Sequence, residues 1–372
     1  MSMISRPDGV LSAALGGQVV VYDPATESGH ILDGPVAAWL LSLDAPVRRD
    51  ALVAEISATN GVDPAQVSSA VTATLELFTS LGLGGSGSSL SVPEPWPGSS
   101  LAAADRLVGA PHPVIGRTLA FRSRDPHLLA ELDRFFGTAP EGTEPTVFVD
   151  ADPGPDGDVL VTAAQEWDFP SRADCVTQIM NVVNEYGARS NDMVVLHSAG
   201  VRTPDGEVWL IPGAIDAGKS NLAAALVRAG CDYLGDESIG IRADTLEAVG
   251  YPKALTLDTS SRGVVGLPSN GIPHTELSEI RADAVALAAG DVPVTRVLLS
   301  SYRPDRPESV QQLDRHDALK ALMANTLNLL RSGDDGLQAL SDLAVAVPAT
   351  SVVHHDAVAL AAELLGPASP VH

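Results

Sequence analysis

The stretch Gly213-Ala214-Ile215-Asp216-Ala217-Gly218-Lys219-Ser220 decides the fold class of this 372-residue chain. A glycine, four residues and then Gly-Lys-Ser is the spacing of a phosphate-binding loop, in which backbone N–H groups surround an anion. Lys219 is expected to place a positive charge beside the terminal phosphates, and the Ser220 hydroxyl is the expected Mg²⁺ ligand. The predicted phosphate-binding residues are Gly213, Ala214, Asp216, Ala217, Gly218, Lys219, Ser220 and Asn221.

Both flanks of the loop support this interpretation. Residues 207–211, EVWLI, read as a strand, and residues 221–229, NLAAALVRA, read as a helix closed by Gly230. Strand, loop and helix in this order place a phosphate at a helix N-terminus, where the helix dipole favours anions. The alternative is a loop of the same spacing that is kept only for packing.

The composition narrows the classes of partner. The chain has 23 Lys and Arg against 47 Asp and Glu, which gives a net charge of −24. This negative charge repels nucleic acid and anionic lipid, so we expect neither nucleic acid nor a membrane as a partner. The alternative explanation is that the acidic surface only keeps the protein soluble. Cys175 and Cys231 make no disulfide framework, and residues 1–20 hold no signal-like segment. The sequence predicts a cytoplasmic protein.

Residues 9–83 show the strand and helix patterns of one small domain. Strand patterns at 10–15, 18–22 and 29–32 are followed by helix patterns at 35–43, 49–59 and 64–81, which together predict a small α+β, winged-helix-like domain. The unit resembles the PqqD family in QVVVYDP (18–24), GHILDGPVAAWLL (29–41), GVDPAQV (61–67) and LFTSLGL (77–83). That resemblance implies that a leader peptide adds as a strand along residues 29–32, beside the 64–81 helix. A vestigial or dimerising winged helix that binds no peptide is the alternative.

The Gly- and Ser-rich residues after 83 predict a flexible linker. We therefore expect a peptide-recognition domain over residues 1–85, a linker over 86–98, and a loop-containing domain over 99–372. In this last domain, a mostly apolar strand at 193–202 turns at Thr203-Pro204-Asp205-Gly206 and returns to feed the loop. A hairpin directly before a phosphate loop is unusual among nucleotide-binding proteins.

This order resembles the HPr kinase/phosphorylase-like family, in the shorter form found in peptide-modification clusters. The shared segments are LHSAGV (196–201), WLIPG (209–213) with the loop, LAAALVRAG (222–230), YLGDE (233–237) and, weakly, YPKALTL (251–257). The resemblance implies the mixed α/β sheet of phosphoenolpyruvate carboxykinase, with the phosphate loop near its middle. Two departures from the family pattern are Asp216, a carboxylate beside the phosphate cradle, and Glu237 in place of a common aspartate.

The resemblance also implies a catalytic set of Asp236, Glu237, His197 and Lys219. One carboxylate of the 236–237 pair would hold a metal-bound water and the other would accept the substrate proton, with Asp236 and Ser220 as the metal ligands. His197 is a charge partner of this set or an ordinary core histidine. Lys253 and Arg262 either clamp the transferred phosphoryl group or are surface charges. Adjacent histidines 354 and 355 point to opposite faces of a strand, so we predict no metal site there.

The two resemblances together predict an ATP- and Mg²⁺-dependent kinase of a serine or threonine hydroxyl on a ribosomally made precursor peptide. A small-molecule alcohol kinase of the same fold and a non-catalytic nucleotide-binding scaffold are the alternatives. The sequence leaves open the base within the acid pair, ATP against pyrophosphate as donor, a reverse dephosphorylation, and assembly into a homo-oligomer.

Overall fold

The computed structural model describes residues 3–83, 105–154, 158–161, 166–190, 192–250, 253–257, 259–267 and 293–366. The predicted linker, residues 86–98, lies outside these ranges. In the part of the chain described, no helix combines the length and the apolar character that a membrane crossing needs.

Strands and helices alternate irregularly along the chain. The strands are β1 Met3–Ile4, β2 Leu11–Leu15, β3 Gln18–Asp23, β4 Ser28–Asp33, β5 Val47–Arg48, β6 Leu107–Val114, β7 Arg117–Ser123, β8 Val147–Pro153, β9 Asp158–Val161, β10 Glu166–Phe169, β11 Met193–Leu196, β12 Ser198–Arg202, β13 Val208–Pro212, β14 Asp232–Gly235, β15 Ile239–Arg242, β16 Ala248–Val249, β17 Val294–Tyr302, β18 Ser309–Gln312 and β19 Ala349–His354. The helices are α1 Pro35–Leu41, α2 Arg49–Asn60, α3 Pro64–Ser80, α4 Pro126–Phe135, α5 Arg172–Ala188, α6 Lys219–Arg228, α7 Thr259–Val264, α8 Arg315–Ala324, α9 Leu329–Ala346 and α10 Ala357–Leu365.

The described residues separate into two compact units. One contains the residues up to 83 together with Leu330–Val345, and the other contains the remaining described residues. In the first unit, β2, β3 and β4 form an antiparallel sheet in that order, and α1, α2 and α3 follow. The three strands and three helices predicted for this segment are confirmed. Asp63 begins α3 by accepting a hydrogen bond from the Ala65 N–H, with Pro64 in the first turn.

A helix from far along the chain completes the first unit. Asp334 on α9 accepts a hydrogen bond from the backbone N–H of Ser12 at 2.9 Å and forms an ion pair with Arg6. Gln338 accepts from the N–H of Ala14 at 2.8 Å, and the Ser341 hydroxyl donates to the carbonyl oxygen of the same residue at 2.6 Å. Side chains of α9 therefore satisfy the outer edge of β2, which otherwise presents unpaired backbone groups.

The second unit is a mixed α/β structure. Its largest sheet has the strand order β14-β12-β13-β17-β19-β18, in which the β13–β17 and β17–β19 pairs are parallel. A five-stranded sheet, β10-β9-β8-β7-β6, packs against α4 and α5 through a core that includes Phe121, Leu132, Phe135 and Ile179. A third sheet has the order β11-β15-β16. The predicted mixed α/β class is confirmed, as is the β12–β13 hairpin that feeds the loop.

Two elements that the sequence predicts as continuous are interrupted in the structure. The strand expected over 193–202 breaks at His197, whose backbone N–H donates to the Asn325 carbonyl oxygen at 2.7 Å. β11 pairs with β15, whereas β12 pairs with β13 and β14. The spacing of Leu319, Leu322, Met323 and Leu327 also predicts one helix over residues 314–330. That helix ends at Ala324, because residues 325–328 bond to β11 instead, through Leu327 N–H to Val195 O and Val195 N–H to Asn328 Oδ1. These tertiary hydrogen bonds override local helix propensity.

Candidate active site

The loop between β13 and α6 is curled by two residues in the left-handed region. Asp216 has φ 63° and Gly218 has φ 83°. Left-handed residues within such a turn direct successive backbone N–H groups to one side, which makes a concavity for an anion. At Gly218 an added Cβ would lie 3.0 Å from the Tyr302 Cβ, so the close approach also requires glycine there. The Asp216 side chain is exposed and lies at the margin of the cavity beside the loop.

Lys219 is held by two acceptors on the inner side of this loop. Its ammonium group donates to the carbonyl oxygen of Ala214 at 2.8 Å and lies 3.0 Å from Nε2 of His197. Only 6% of the lysine is exposed. Burial lowers the pKa of Lys219, and the negative charges of Glu237, Asp236 and Asp216 oppose that shift. Lys219 therefore borders the cavity and also interacts through its charge with the carboxylates of Asp236 and Glu237.

His197 is a neutral imidazole with a defined tautomer. Its Nδ1 lies 3.1 Å from the backbone carbonyl oxygen of Glu237, which can only accept, so Nδ1 carries the proton. Nε2 then accepts from the ammonium of Lys219. Burial and the charge of Lys219 lower the pKa of His197, in agreement with the neutral form. The structure thus brings the predicted His197 and Lys219 together.

Asp236 is a buried carboxylate with one occupied and one free oxygen. Its Oδ1 accepts from the Tyr233 hydroxyl at 2.7 Å and lies 2.8 Å from the Lys253 ammonium. Its Oδ2 is buried without a hydrogen-bond partner among the described residues. Glu237 is half-buried, and burial followed by the charge of Asp236 raises its pKa, against the opposing charges of Lys253 and Lys219. The two carboxylates therefore differ sharply in their surroundings.

Lys253 and Arg262 are not surface charges. They are 1% and 2% exposed, so that alternative is wrong for both. Neither side chain lines the cavity beside the loop. The ammonium of Lys253 is paired with Asp236 and lies 5.7 Å from the centre of the Phe135 ring. The charge of Lys253 is thus directed to the carboxylate.

A cavity of about 470 Å³ lies beside the loop. Residues 216–221 line one side of it, and the described residues on the other side include Thr256, Ser260, Tyr302 and His354. His197, Asp236 and Glu237 do not line it. Sequence reasoning missed Tyr302, because a single tyrosine at a strand end carries no motif, and it considered His354 only as a metal ligand.

His354 and His355 diverge, as expected for neighbours at a strand end. Nε2 of His354 lies 3.0 Å from the Ser300 hydroxyl, while the exposed imidazole of His355 lies 3.5 Å from Glu308. Within the described ranges, no three His, Cys, Asp or Glu side chains cluster as a metal site. A Mg²⁺ ion commonly takes one or two protein oxygens and completes its shell with phosphates and water. Ser220 borders the cavity, and Asp236 Oδ2 is buried without a hydrogen-bond partner among the described residues, so each offers an oxygen of the type that Mg²⁺ takes.

Comparisons with known proteins include a distant structural neighbour. No protein-family model matches the chain, and no curated protein is similar to it. Among solved structures, the chain is similar to the Hpr(Ser) kinase/phosphatase from Coxiella burnetii, with a TM-score of 0.23 and 13% sequence identity. The match covers 46% of this chain and 93% of that chain. A similarity at this TM-score carries no conclusion about function.

Proposed function

We propose that this protein is an ATP-dependent kinase that transfers the γ-phosphate to a serine or threonine hydroxyl of a ribosomally made precursor peptide. The observation that carries the proposal is the position of Lys219. Its side chain borders the cavity, and its ammonium group is joined through His197 to the backbone of the acid pair. Phosphoryl transfer needs this combination of a phosphate cradle, a cation and a nearby carboxylate.

Each residue has a distinct part in the proposed reaction. The backbone N–H groups of residues 213–220 hold the phosphates, and Lys219 neutralises their charge. Ser220 and Asp236 Oδ2 would hold Mg²⁺, which when bound supplies further neutralising charge at the phosphates. The acceptor hydroxyl oxygen bonds to the γ-phosphorus as the bond to the β-phosphate oxygen breaks. Because Asp236 Oδ1 is already occupied and its Oδ2 would hold Mg²⁺, Glu237 is the carboxylate left to take the hydroxyl proton.

The proposed peptide site is the outer edge of β4 in the first unit. β4 pairs with β3 on one side and is the last strand of its sheet, while the edge of β2 is covered by side chains of α9. A free strand edge can accept an extended peptide through backbone hydrogen bonds, with side-chain pockets giving selectivity. This arrangement supports residues 29–32 as the receiving strand, and α3 is proposed to complete the peptide site.

A mass measurement tests the proposal. The full chain is incubated with Mg²⁺-ATP and the precursor peptide encoded beside its gene, and we expect the peptide to gain the mass of one phosphate. Lys219→Met should abolish the gain, whereas Lys320→Met, on the exposed face of α8, should not change it. If the peptide gains no phosphate and no nucleotide is hydrolysed, the proposal is wrong.

Two alternatives remain distinguishable. A leaderless core peptide or a free small alcohol phosphorylated as fast as the leader-bearing peptide would favour a small-molecule alcohol kinase. The exposed carboxylate of Asp216, which lines the cavity, is the observation behind the second alternative, a non-catalytic nucleotide-binding scaffold, because its negative charge disfavours the close phosphate contacts that transfer needs. The scaffold predicts Mg²⁺-ATP binding in a calorimetric titration without turnover, and no effect of Asp236→Asn on the residual rate.

A further inference from the structure

The cavity beside the loop has a second wall that the phosphate-binding residues do not form. Tyr302 ends β17, and its backbone N–H donates to the Ala217 carbonyl oxygen at 3.0 Å. Its Cβ lies 3.0 Å from the position that a Cβ on Gly218 would take. The Cβ of Tyr302 therefore lies directly beside the loop, and Tyr302, which is 42% exposed, lines the cavity.

Neighbouring residues hold the tyrosine in place. The Ser300 hydroxyl donates its single proton to the Ala217 carbonyl oxygen at 3.0 Å, so its oxygen accepts from the Nε2–H of His354. The His354 ring meets the Tyr302 ring edge to face, with 6.0 Å between centroids and an interplanar angle of 64°. Tyr302 and His354 are also paired in register between β17 and β19. The aromatic wall is thus built before any ligand enters.

The chemistry of this wall is not that of a phosphate site. Val264, 55% exposed, adds apolar surface, and Thr256, Ser260 and Ser261 add polar side chains. Among the described residues that line the cavity, Lys219 is the only lysine or arginine. A site for pyrophosphate alone would be expected to bring more cations to both ends of the ligand. An aromatic face with apolar and hydroxyl neighbours instead suits a sugar and a planar base.

We propose that the cavity binds a nucleoside triphosphate, with its phosphates on the Gly213–Ser220 loop and its base stacked on the ring of Tyr302. This inference rests on the proposed function and deepens it, because it names the residue that holds the base of the ATP. A volume of about 470 Å³ lies within the range of pockets that enclose small ligands. Stacking suits any base, because each base presents a flat π face to an aromatic ring.

Calorimetric titration of the full chain with two probes tests this subsite. Mg²⁺-ATP and Mg²⁺-tripolyphosphate share the phosphate chain, but only ATP carries a base. Tyr302→Ala should weaken ATP binding on the order of tenfold to a hundredfold, the size of one base–aromatic stacking contact. Its affinity for tripolyphosphate should equal that of the unsubstituted chain. Tyr302→Phe should retain ATP affinity, because stacking needs the ring and not the hydroxyl.

A control variant and the contrary results complete this titration. Val310→Ala, on an exposed residue of β18 away from the cavity, should change neither affinity. If Tyr302→Ala loses the same affinity for both probes, or loses none for ATP, the base subsite is wrong. In either case, binding of tripolyphosphate by the unsubstituted chain still supports the phosphate loop. If the unsubstituted chain binds neither probe, the phosphate loop and the subsite both fail. A thermal melt of each variant establishes that it is folded.

Discussion

The ammonium group of Lys219 lies 3.0 Å from Nε2 of His197, and Nδ1 of the same imidazole lies 3.1 Å from the backbone carbonyl oxygen of Glu237. One neutral ring therefore links the loop lysine to the acid pair. A protonated ring could not accept from an ammonium group, so the link exists only while His197 is neutral. This relationship gives His197 a role in positioning Lys219.

Replacing His197 tests that role. His197→Ala removes an acceptor of the lysine ammonium, so the ammonium should shift away from the phosphate that it neutralises. We expect kcat to fall on the order of tenfold to a hundredfold, because a displacement of about 1 Å can cost that much. Affinity for Mg²⁺-ATP, from calorimetry, should stay close to its original value. His127→Ala, on an exposed histidine of α4, is the control, and equal kinetics in the two variants would contradict the role.

The buried pair of Lys253 and Asp236 should contribute strongly to stability. Both side chains are 1% exposed, so Lys253→Met would leave an unpaired charge inside the protein. We expect a loss of about 3–5 kcal/mol in the free energy of unfolding, measured by urea denaturation. The double variant Lys253→Met/Asp236→Asn should recover most of that loss, because the amide carries no charge.

An exposed ion pair provides the comparison for this experiment. Arg202 and Asp232 are 30% and 62% exposed, so Arg202→Met should cost less than about 1 kcal/mol. If Lys253→Met costs no more than Arg202→Met, the Lys253–Asp236 pair is not buried as the structure shows it.

His354 should make stability depend on pH. Burial lowers its pKa, while the charge of Glu308 opposes the shift. A histidine with a folded-state pKa below its unfolded value takes up a proton on unfolding, so it destabilises the folded state as pH falls below about 6.5. We expect Tm to fall between about pH 7 and pH 5.5, and to fall less in His354→Gln. His355→Gln, on the exposed neighbour, should keep the original slope, and identical slopes in all three proteins would refute this origin.

Ser341 should stabilise the first unit although it lies far along the chain. Its hydroxyl is fully buried and donates to the Ala14 carbonyl oxygen on β2. Ser341→Ala should lower the free energy of unfolding by about 0.5–1.5 kcal/mol, the net contribution of one hydrogen bond, because the Ala14 carbonyl oxygen still accepts from Gln338 Nε2 at 3.3 Å. Ser69→Ala, on the exposed face of α3, should cost little by the same measurement. The same contacts predict that deleting residues 1–85 exposes one face of α9 and lowers solubility.

Local patterns were sufficient where structure depends on neighbours in the chain. The Gly-x-x-x-x-Gly-Lys-Ser spacing predicted the turn between β13 and α6, because the left-handed backbone at Gly218 is a local property. Asp63 with Pro64 predicted the start of α3, and Pro204-Asp205-Gly206 predicted the β12–β13 hairpin. Short apolar runs separated by turn residues predicted the three strands of the first unit.

Contacts between distant residues required the tertiary structure. Lys219 and His197 are 22 residues apart in the sequence, and Ser12 and Asp334 are 322 residues apart. Sequence periodicity does not predict which of many polar side chains form hydrogen bonds over such separations. The sequence by itself determined a mixed α/β chain with a phosphate-binding pattern and nominated Asp236, Glu237, His197 and Lys219. Only the tertiary structure decided that Lys253 neutralises Asp236, that Tyr302 and His354 form the far wall of the cavity, and that α9 covers β2. The reason is physical, since buried polar groups must find partners, and the folded backbone brings those partners within reach.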